Sequence, residues 1–216
     1  MTNYVIVNPA RCGSTWLVCG LEHKYKLNNF NDCFGKGTGD VRIAGEKINL
    51  KNYTESEKLF IVTRNTPYIV KIFTDSMMDL VHFEDNNTRF IWLYRKSLAE
   101  HFLSFYFARK TEIFNLHENP WDFLPSPSPY NIEKEANYQT PDFNPTEDDK
   151  NFYLDILEKQ ERAYEKYQHM FNVEIAYEDL FENNPWDITL SSTLKLNTYK
   201  QEWIDWAEKN INEWRK

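Results

Sequence analysis

The sequence predicts an α/β protein in which a parallel sheet is flanked by helices. Three short apolar segments lead to this prediction, at residues 4–7, 68–73 and 89–94, and a helix-like pattern follows each of them. The third segment is apolar throughout, which is typical of a strand buried on both faces. Ligands in such sheets bind at the carboxyl ends of the strands, so these three ends are where a site is expected.

The elements of the first half follow in order. A helix is predicted over residues 14–25, and the polar, glycine-bearing segment 24–57 is predicted to be mostly loop. A short helix over 75–80 follows the second strand. After the third strand, Ser97 and Glu100 have the spacing of a capping box, which predicts a helix reaching to about residue 114.

The second half begins with a proline-rich segment, residues 119–130, that predicts a loop or lid within 115–145. The acidic run Thr146-Glu147-Asp148-Asp149 caps a long helix to about residue 170. A short strand over 172–176 and a helix over 203–214 complete the chain. We therefore predict one domain over residues 1–216 with a lid at 115–145.

Composition and charge exclude several classes of function. The chain has 216 residues, of which 41% are hydrophobic, so it can bury a core. A net charge of −8 argues against a nucleic-acid partner, although it allows a local basic pocket for a small anion. No segment is apolar enough to span a membrane or serve as a signal peptide. The three cysteines lack metal-ligand spacing, which predicts reduced thiols and a cytoplasmic location, while the oligomeric state stays open.

The first strand end, in the stretch VNPARCGSTWLV, combines features of an anion-binding loop. Gly13 allows the backbone to approach a ligand, Ser14 and Thr15 offer hydroxyls at a helix N-terminus, and Arg11 adds positive charge. The P-loop pattern GxxxxGK[ST] is absent, because no lysine follows Gly13. The alternative is an ordinary strand-to-helix turn with Ser14 as the N-cap.

The third strand end is also basic. Arg95 and Lys96 stand where the strand stops, and Ser104 and Arg109 lie along the helix that follows. A solvated charged face is one interpretation of this cluster. The other is a second anion site, in which case a ligand with two phosphate-bearing ends would bridge the two strand ends.

Several segments together resemble PAPS-dependent sulfotransferases, which use 3′-phosphoadenosine 5′-phosphosulfate (PAPS) as donor. Residues 7–17 resemble the family's 5′-phosphosulfate-binding loop, and residues 93–114 resemble its 3′-phosphate-binding segment. Val70-Lys71-Ile72, Tyr177-Glu178-Asp179-Leu180 and Glu202-Trp203 are similar to further elements of the bacterial trehalose sulfotransferase type and its marine or viral relatives.

The resemblance implies a P-loop NTPase-like sulfotransferase fold. It also implies transfer of a sulfuryl group from PAPS to a hydroxyl of a small-molecule or carbohydrate acceptor, with 3′,5′-ADP as the product and no required metal.

The resemblance further implies roles for individual residues. The 5′-phosphosulfate would be bound by Arg11, Cys12, Gly13, Ser14, Thr15 and Trp16, and the 3′-phosphate end of the nucleotide by Arg95, Lys96, Ser104 and Arg109. Asp32 falls where the trehalose-type enzymes have a catalytic glutamate, with Glu22 and His23 as competing bases. Arg11 would stabilise charge on the bridging oxygen, and Lys71 would assist the leaving group or orient the base.

Two alternatives remain at this point. A nucleotide kinase would share the broad fold, but the missing lysine counts against it. A non-catalytic nucleotide-binding relative is left open by the aspartate at position 32. For Cys12, the basic loop and the helix N-terminus predict a lowered thiol pKa.

Overall fold

A computed structural model describes residues 1–35, 39–75, 78–111, 142–180, 185–186 and 199–216. Within these residues seven strands form one sheet, in the order β4-β3-β2-β5-β1-β6-β7. The strands are β1 Asn3–Asn8, β2 Asn28–Asn29, β3 Asp40–Ile43, β4 Glu46–Asn49, β5 Tyr68–Phe73, β6 Thr88–Tyr94 and β7 Phe171–Ala176. Neighbours from β2 to β7 in this order pair in parallel, whereas β3 and β4 are antiparallel additions at one edge.

The helices are α1 Ser14–Tyr25, α2 Glu55–Arg64, α3 Leu98–Thr111, α4 Glu147–Tyr167 and α5 Gln201–Trp214. Short 3-10 helices lie at Leu80–Phe83, Gln168–Met170 and Glu178–Leu180. The predicted α/β class, with a mostly parallel sheet flanked by helices, is confirmed. None of the helices in the described part of the chain is long and apolar enough to cross a membrane.

The described chain divides by its contacts into two compact units. The first unit contains residues 1–96 and 158–190 and carries the whole sheet. The second unit contains residues 97–157 and 191–216, and within it α3 packs against α5.

The two faces of the sheet alternate along each strand, as strand geometry requires. Val5 and Val7 of β1 face one hydrophobic cluster, which α2 and the end of α4 complete with Val62 and Tyr167. Ile6 faces the other cluster, which α1 completes with residues such as Leu17, Val18 and Leu21. Because β1 also pairs with β5 along one edge and with β6 along the other, its carboxyl end lies in the interior of the sheet.

Several predicted elements need correction. The segment 24–57 is not mostly loop, since it contains β2, β3, β4 and the start of α2. A helix over 75–80 is also wrong, because residues 74–75 form a turn and the 3-10 helix begins at Leu80. The segment 119–130 and all but the last residues of the proposed lid at 115–145 lie outside the described residues.

The predicted helix caps are present. The Ser97 hydroxyl accepts a hydrogen bond from the Glu100 amide at 3.1 Å. At the start of α4, the Thr146 hydroxyl accepts from the Asp149 amide at 3.3 Å, and an Asp149 carboxylate oxygen accepts from the Thr146 amide at 3.0 Å. These contacts satisfy amides that a helix N-terminus otherwise leaves without intrahelical partners.

The connections out of the sheet define where a ligand would bind. After β1 the chain continues to β2, which lies on the β5 side of β1 in the sheet. After β6 it continues to β7, which lies on the opposite side. In open sheets with helices on their faces, ligands bind outside the carboxyl ends of strands at such a switch point. The fold therefore directs attention to the residues that follow Asn8 and Tyr94.

Candidate functional site

The loop after β1 has a backbone conformation unusual for its residues. Arg11 has a φ of 67° and Gly13 a φ of 70°, both in the left-handed region. A side chain in this region is uncommon, and such residues cluster at binding sites. Gly13 is the N-cap of α1 and no side chain caps the helix, so the alternative of an ordinary turn with Ser14 as the N-cap is not observed. The loop thus presents the N-terminus of α1 without a side-chain cap, which suits an anion.

Other residues of the loop are partly or fully enclosed. Ser14 is buried and begins α1, while Thr15 and Trp16 are half-buried in its first turn. The Trp16 amide donates to the Gly13 carbonyl at 3.1 Å, which closes the first helical turn. Ser14 and Thr15 therefore lie at the N-terminus of α1, as predicted from the sequence.

Arg95 joins the end of β6 to this loop. Its Nε donates to the Arg11 carbonyl oxygen at 3.0 Å, and its guanidinium carbon lies 4.2 Å from the centre of the Tyr177 ring. Arg95 is only 7% exposed, so its charge acts in a medium that screens it weakly. The two basic strand ends are therefore in direct contact.

Lys71 supplies a buried cation from β5. The residue is 4% exposed, its Nζ donates to the Thr15 hydroxyl at 3.4 Å, and it lies 4.8 Å from the centre of the Phe73 ring. Burial lowers the pKa of Lys71, although the nearby charge of Asp32 partly opposes this effect. Lys71 thus reaches the first turn of α1 from a neighbouring strand.

Asp32 is brought toward Lys71 by the backbone. The Lys71 amide donates to the Asn31 carbonyl at 2.6 Å, which continues the pairing of β2 with β5 up to the residue before Asp32. Asn31 itself has a φ of 37°, and among the described residues its buried Oδ1 has no hydrogen-bond partner. The charge of Asp32 acts on Lys71, whose ammonium in turn contacts Thr15, so Asp32 lies near the buried cation at this end of the sheet.

The competing bases have other surroundings. Glu22 accepts hydrogen bonds from Asn29 at 2.6 Å and from Arg42 at 3.4 Å, so its carboxylate is engaged in a structural network. His23 is exposed in the last turn of α1. Asp32 is the candidate that adjoins a buried cation.

The prediction of a lowered thiol pKa for Cys12 is wrong. Cys12 is fully buried, and burial raises its pKa to about 12 even though the charges of Arg95 and Arg11 act in the opposite direction. Desolvation of the thiolate outweighs the basic surroundings. Cys19 and Cys33 are also buried, with their pKa values raised to about 12, and none of the three forms a disulfide.

Lys96 is tied to the segment that follows β7. Its Nζ pairs with Asp179 at 2.5 Å, and its amide donates to a Glu178 carboxylate oxygen at 3.1 Å. The side chain of Lys96 is 56% exposed, so this pair lies at the surface. Within the described residues the other oxygen of Glu178 is buried without a partner.

The second unit contains the remaining predicted residues. Ser104 is 3% exposed within α3. Arg109 pairs with Asp148 at 2.9 Å and with Asp149 at 3.3 Å, and its guanidinium carbon lies 4.2 Å from the centre of the Phe152 ring. Arg109 therefore links α3 to α4 within this unit.

Sequence reasoning assigned no site role to Tyr177, Glu178 or Asp179. The YEDL pattern at 177–180 marked the segment, but nothing in the pattern indicates that it adjoins Arg95 and Lys96. That neighbourhood depends on the parallel pairing of β6 with β7, in which the Tyr177 amide donates to the Tyr94 carbonyl at 2.7 Å.

Comparison with known proteins adds no family assignment, because no family model matches the sequence and no curated protein is significantly similar to it. Among the described residues, no group of three or more His, Cys, Asp or Glu side chains is arranged to hold a metal ion.

Proposed function

We propose that this protein is a cytoplasmic sulfotransferase of P-loop-like fold that transfers the sulfuryl group of PAPS to a hydroxyl of a small-molecule or carbohydrate acceptor. The observation that carries the proposal is the meeting of two basic strand ends: Arg95, after β6, donates to the carbonyl of Arg11 in the loop after β1. A donor with anionic groups at its 5′ and 3′ positions needs two such adjoining sites. The resemblance of residues 7–17 and 93–114 to the sulfotransferase segments supports the same ligand.

The residues of the loop fit a 5′-phosphosulfate. Gly13 has no side chain to occupy the helix end, Thr15 offers a hydroxyl, and Lys71 places its ammonium at that hydroxyl. A P-loop lysine follows the glycine in sequence, whereas here the cation comes from β5. This arrangement supplies the charge without the kinase motif, which favours sulfuryl over phosphoryl transfer.

The reaction requires a base and a stabilised leaving group. In an in-line displacement, the acceptor oxygen forms a bond to sulfur as the bond from sulfur to the bridging oxygen breaks, and 3′,5′-ADP leaves. Asp32 takes the proton of the acceptor hydroxyl. Arg11 and Lys71 stabilise the negative charge that grows on the bridging oxygen.

Fewer residues support the proposed 3′-phosphate site than the sequence predicted. Arg95 adjoins the loop in the first unit, and Ser104 remains a prediction carried by the resemblance. The charges of Lys96 and Arg109 are matched within the protein by Asp179 and by Asp148 and Asp149. We therefore assign the 3′-phosphate to Arg95, which adjoins the loop in the first unit, and assign no phosphate contact to Lys96 or Arg109.

Calorimetric titration with 3′,5′-ADP tests the nucleotide site. The wild type is expected to bind, and Arg95→Ala to bind about 10- to 100-fold more weakly, since a hydrogen bond to a charged group contributes about 1.5–3 kcal/mol. Ser104→Ala is expected to weaken binding less. Arg89→Ala is the matched control, because Arg89 is an exposed arginine near the start of β6, whereas Arg95 directly follows the end of that strand. No binding to the wild type would overturn the proposal.

A transfer assay with radiolabelled PAPS and a panel of hydroxyl acceptors tests the base. Asp32→Asn is expected to lower kcat by about 10²- to 10⁴-fold with little change in affinity for 3′,5′-ADP, and Asp32→Glu to recover part of the rate. An unchanged rate in Asp32→Asn would remove Asp32 as the base. Binding without transfer would favour the non-catalytic relative, and magnesium-dependent ATP turnover would favour the kinase.

A further inference from the structure

Tyr177 stands directly after β7 and contacts both halves of the proposed donor site. Its amide donates to the Tyr94 carbonyl at 2.7 Å, which continues the parallel pairing of β7 with β6 and fixes the position of the Tyr177 backbone. The residue is 8% exposed, and its ring belongs to the hydrophobic cluster that contains Cys12 and Leu17. The ring is therefore a buried and well-anchored part of the sheet edge.

One contact of the ring is with Gly13. A Cβ atom built on Gly13 would lie 2.4 Å from Cδ2 and 2.5 Å from Cε2 of Tyr177, which is closer than real Cβ atoms approach. The ring thus occupies the space that any side chain at position 13 would need. The close approach of backbone and ring also restricts how the loop can move toward β7.

The other contact of the ring is with Arg95. The guanidinium carbon lies 4.2 Å from the ring centre, a separation at which a cation is attracted to an aromatic face. The same guanidinium donates through Nε to the Arg11 carbonyl at 3.0 Å. The loop therefore touches Tyr177 in two ways: directly at Gly13, and indirectly through Arg95, which contacts both Arg11 and the Tyr177 ring.

We propose that Tyr177 is a positioning residue that holds the loop at 11–13 and the guanidinium of Arg95 in a fixed relation, so that the two phosphate subsites act as one unit. The inference rests on the proposed function for the identity of the ligand, but the positioning itself belongs to the protein alone. Loss of the ring frees the loop from one neighbour and removes the surface against which Arg95 is oriented. The aromatic ring is the feature required, so phenylalanine should serve in its place.

Hydrogen exchange of the ligand-free protein tests the positioning. In Tyr177→Leu, which keeps an apolar side chain but loses the ring, the amides of residues 10–16 are expected to exchange at least about tenfold faster than in wild type. Tyr177→Phe is expected to match wild type. Leu21→Ala, in the same cluster on α1, controls for a general loss of stability and should not affect the loop selectively. Equal loop exchange in wild type and Tyr177→Leu, or equally fast exchange in Tyr177→Phe, would overturn the proposal.

Nucleotide binding by the same variants tests the coupling of the two subsites. Tyr177→Leu is expected to weaken binding of 3′,5′-ADP by about tenfold and binding of 5′-AMP by less, because only the first ligand uses Arg95 fully. An equal loss for both nucleotides would refute the coupling. If wild type binds neither nucleotide while the exchange result holds, the proposed function fails and the positioning of the loop by Tyr177 stands.

Discussion

Substitution of Gly13 by alanine tests the packing of the loop. Two costs are expected. A φ of 70° costs an L-residue about 1–2 kcal/mol. The added Cβ would lie 2.4 Å from the buried Tyr177 ring, and relieving such an overlap in a packed site costs about 1–3 kcal/mol. Together they predict a loss of about 2–5 kcal/mol in the free energy of unfolding.

Gly45 provides a matched control for the backbone part of this cost. It has a φ of 84°, and no atom lies within 4 Å of a Cβ built on it. Gly45→Ala should therefore lose only the backbone contribution of about 1–2 kcal/mol. The difference between the two alanine variants isolates the contact with Tyr177.

Urea denaturation of both single variants, of Tyr177→Ala and of Gly13→Ala combined with Tyr177→Ala completes the measurement. Removal of the ring should cancel the steric part of the Gly13→Ala cost, which gives a coupling energy of about 1–3 kcal/mol in the double-mutant cycle. The reasoning is refuted if Gly13→Ala costs no more than Gly45→Ala, or if the two substitutions at positions 13 and 177 are additive.

Three further predictions concern other parts of the molecule. Lys71→Met should abolish transfer yet raise stability by about 1–2 kcal/mol at neutral pH, because it removes a buried charge. Because burial lowers the pKa of Lys71, the folded protein loses the lysine proton at a lower pH than the unfolded chain does. The unfolded chain therefore carries more protons than the folded protein as the pH approaches the usual lysine range. The stability of the wild type should therefore rise over this pH range, and the excess melting temperature of Lys71→Met over the wild type should become smaller. A larger excess would contradict the lowered pKa of Lys71. With pKa values raised to about 12, the buried cysteines should react with a thiol reagent at about pH 8 only after unfolding, and rapid labelling of any cysteine in the native protein would contradict this. Thr146→Ala should cost about 1 kcal/mol of stability in denaturation because it removes the cap of α4, while Thr63→Ala on an exposed face of α2 should cost less than about 0.5 kcal/mol; equal costs would deny the cap its role.

The sequence predicts the central strands well because they are apolar on both faces. Strands β1, β5 and β6 carry continuous runs of buried residues, and a short apolar run of this kind is typical of a strand buried on both faces. The edge strands were missed for the opposite reason. Glu46–Asn49 is exposed at every position, so no period-two pattern of apolar residues marks it as a strand.

The candidate site was predictable where a topological rule applies. Arg11 and Arg95 follow parallel strands that lie side by side, and the rule that ligands bind at strand carboxyl ends brings them together. Tyr177 could not be placed in this way, because its contact with Gly13 depends on which edge of the sheet β7 joins. Cys12 shows a different limit, since neighbouring charges are visible in sequence whereas burial, which decides its pKa, is not.

Selective binding of a 3′-phosphorylated nucleotide tests the central claim most directly. Parallel calorimetric titrations of the wild type with 3′,5′-ADP and with 5′-ADP, each with and without magnesium, provide the comparison. The two adjoining basic strand ends predict that 3′,5′-ADP binds at least about tenfold more tightly and that magnesium does not change its affinity. Preferential binding of 5′-ADP in the presence of magnesium, or no binding of either nucleotide, would contradict the account.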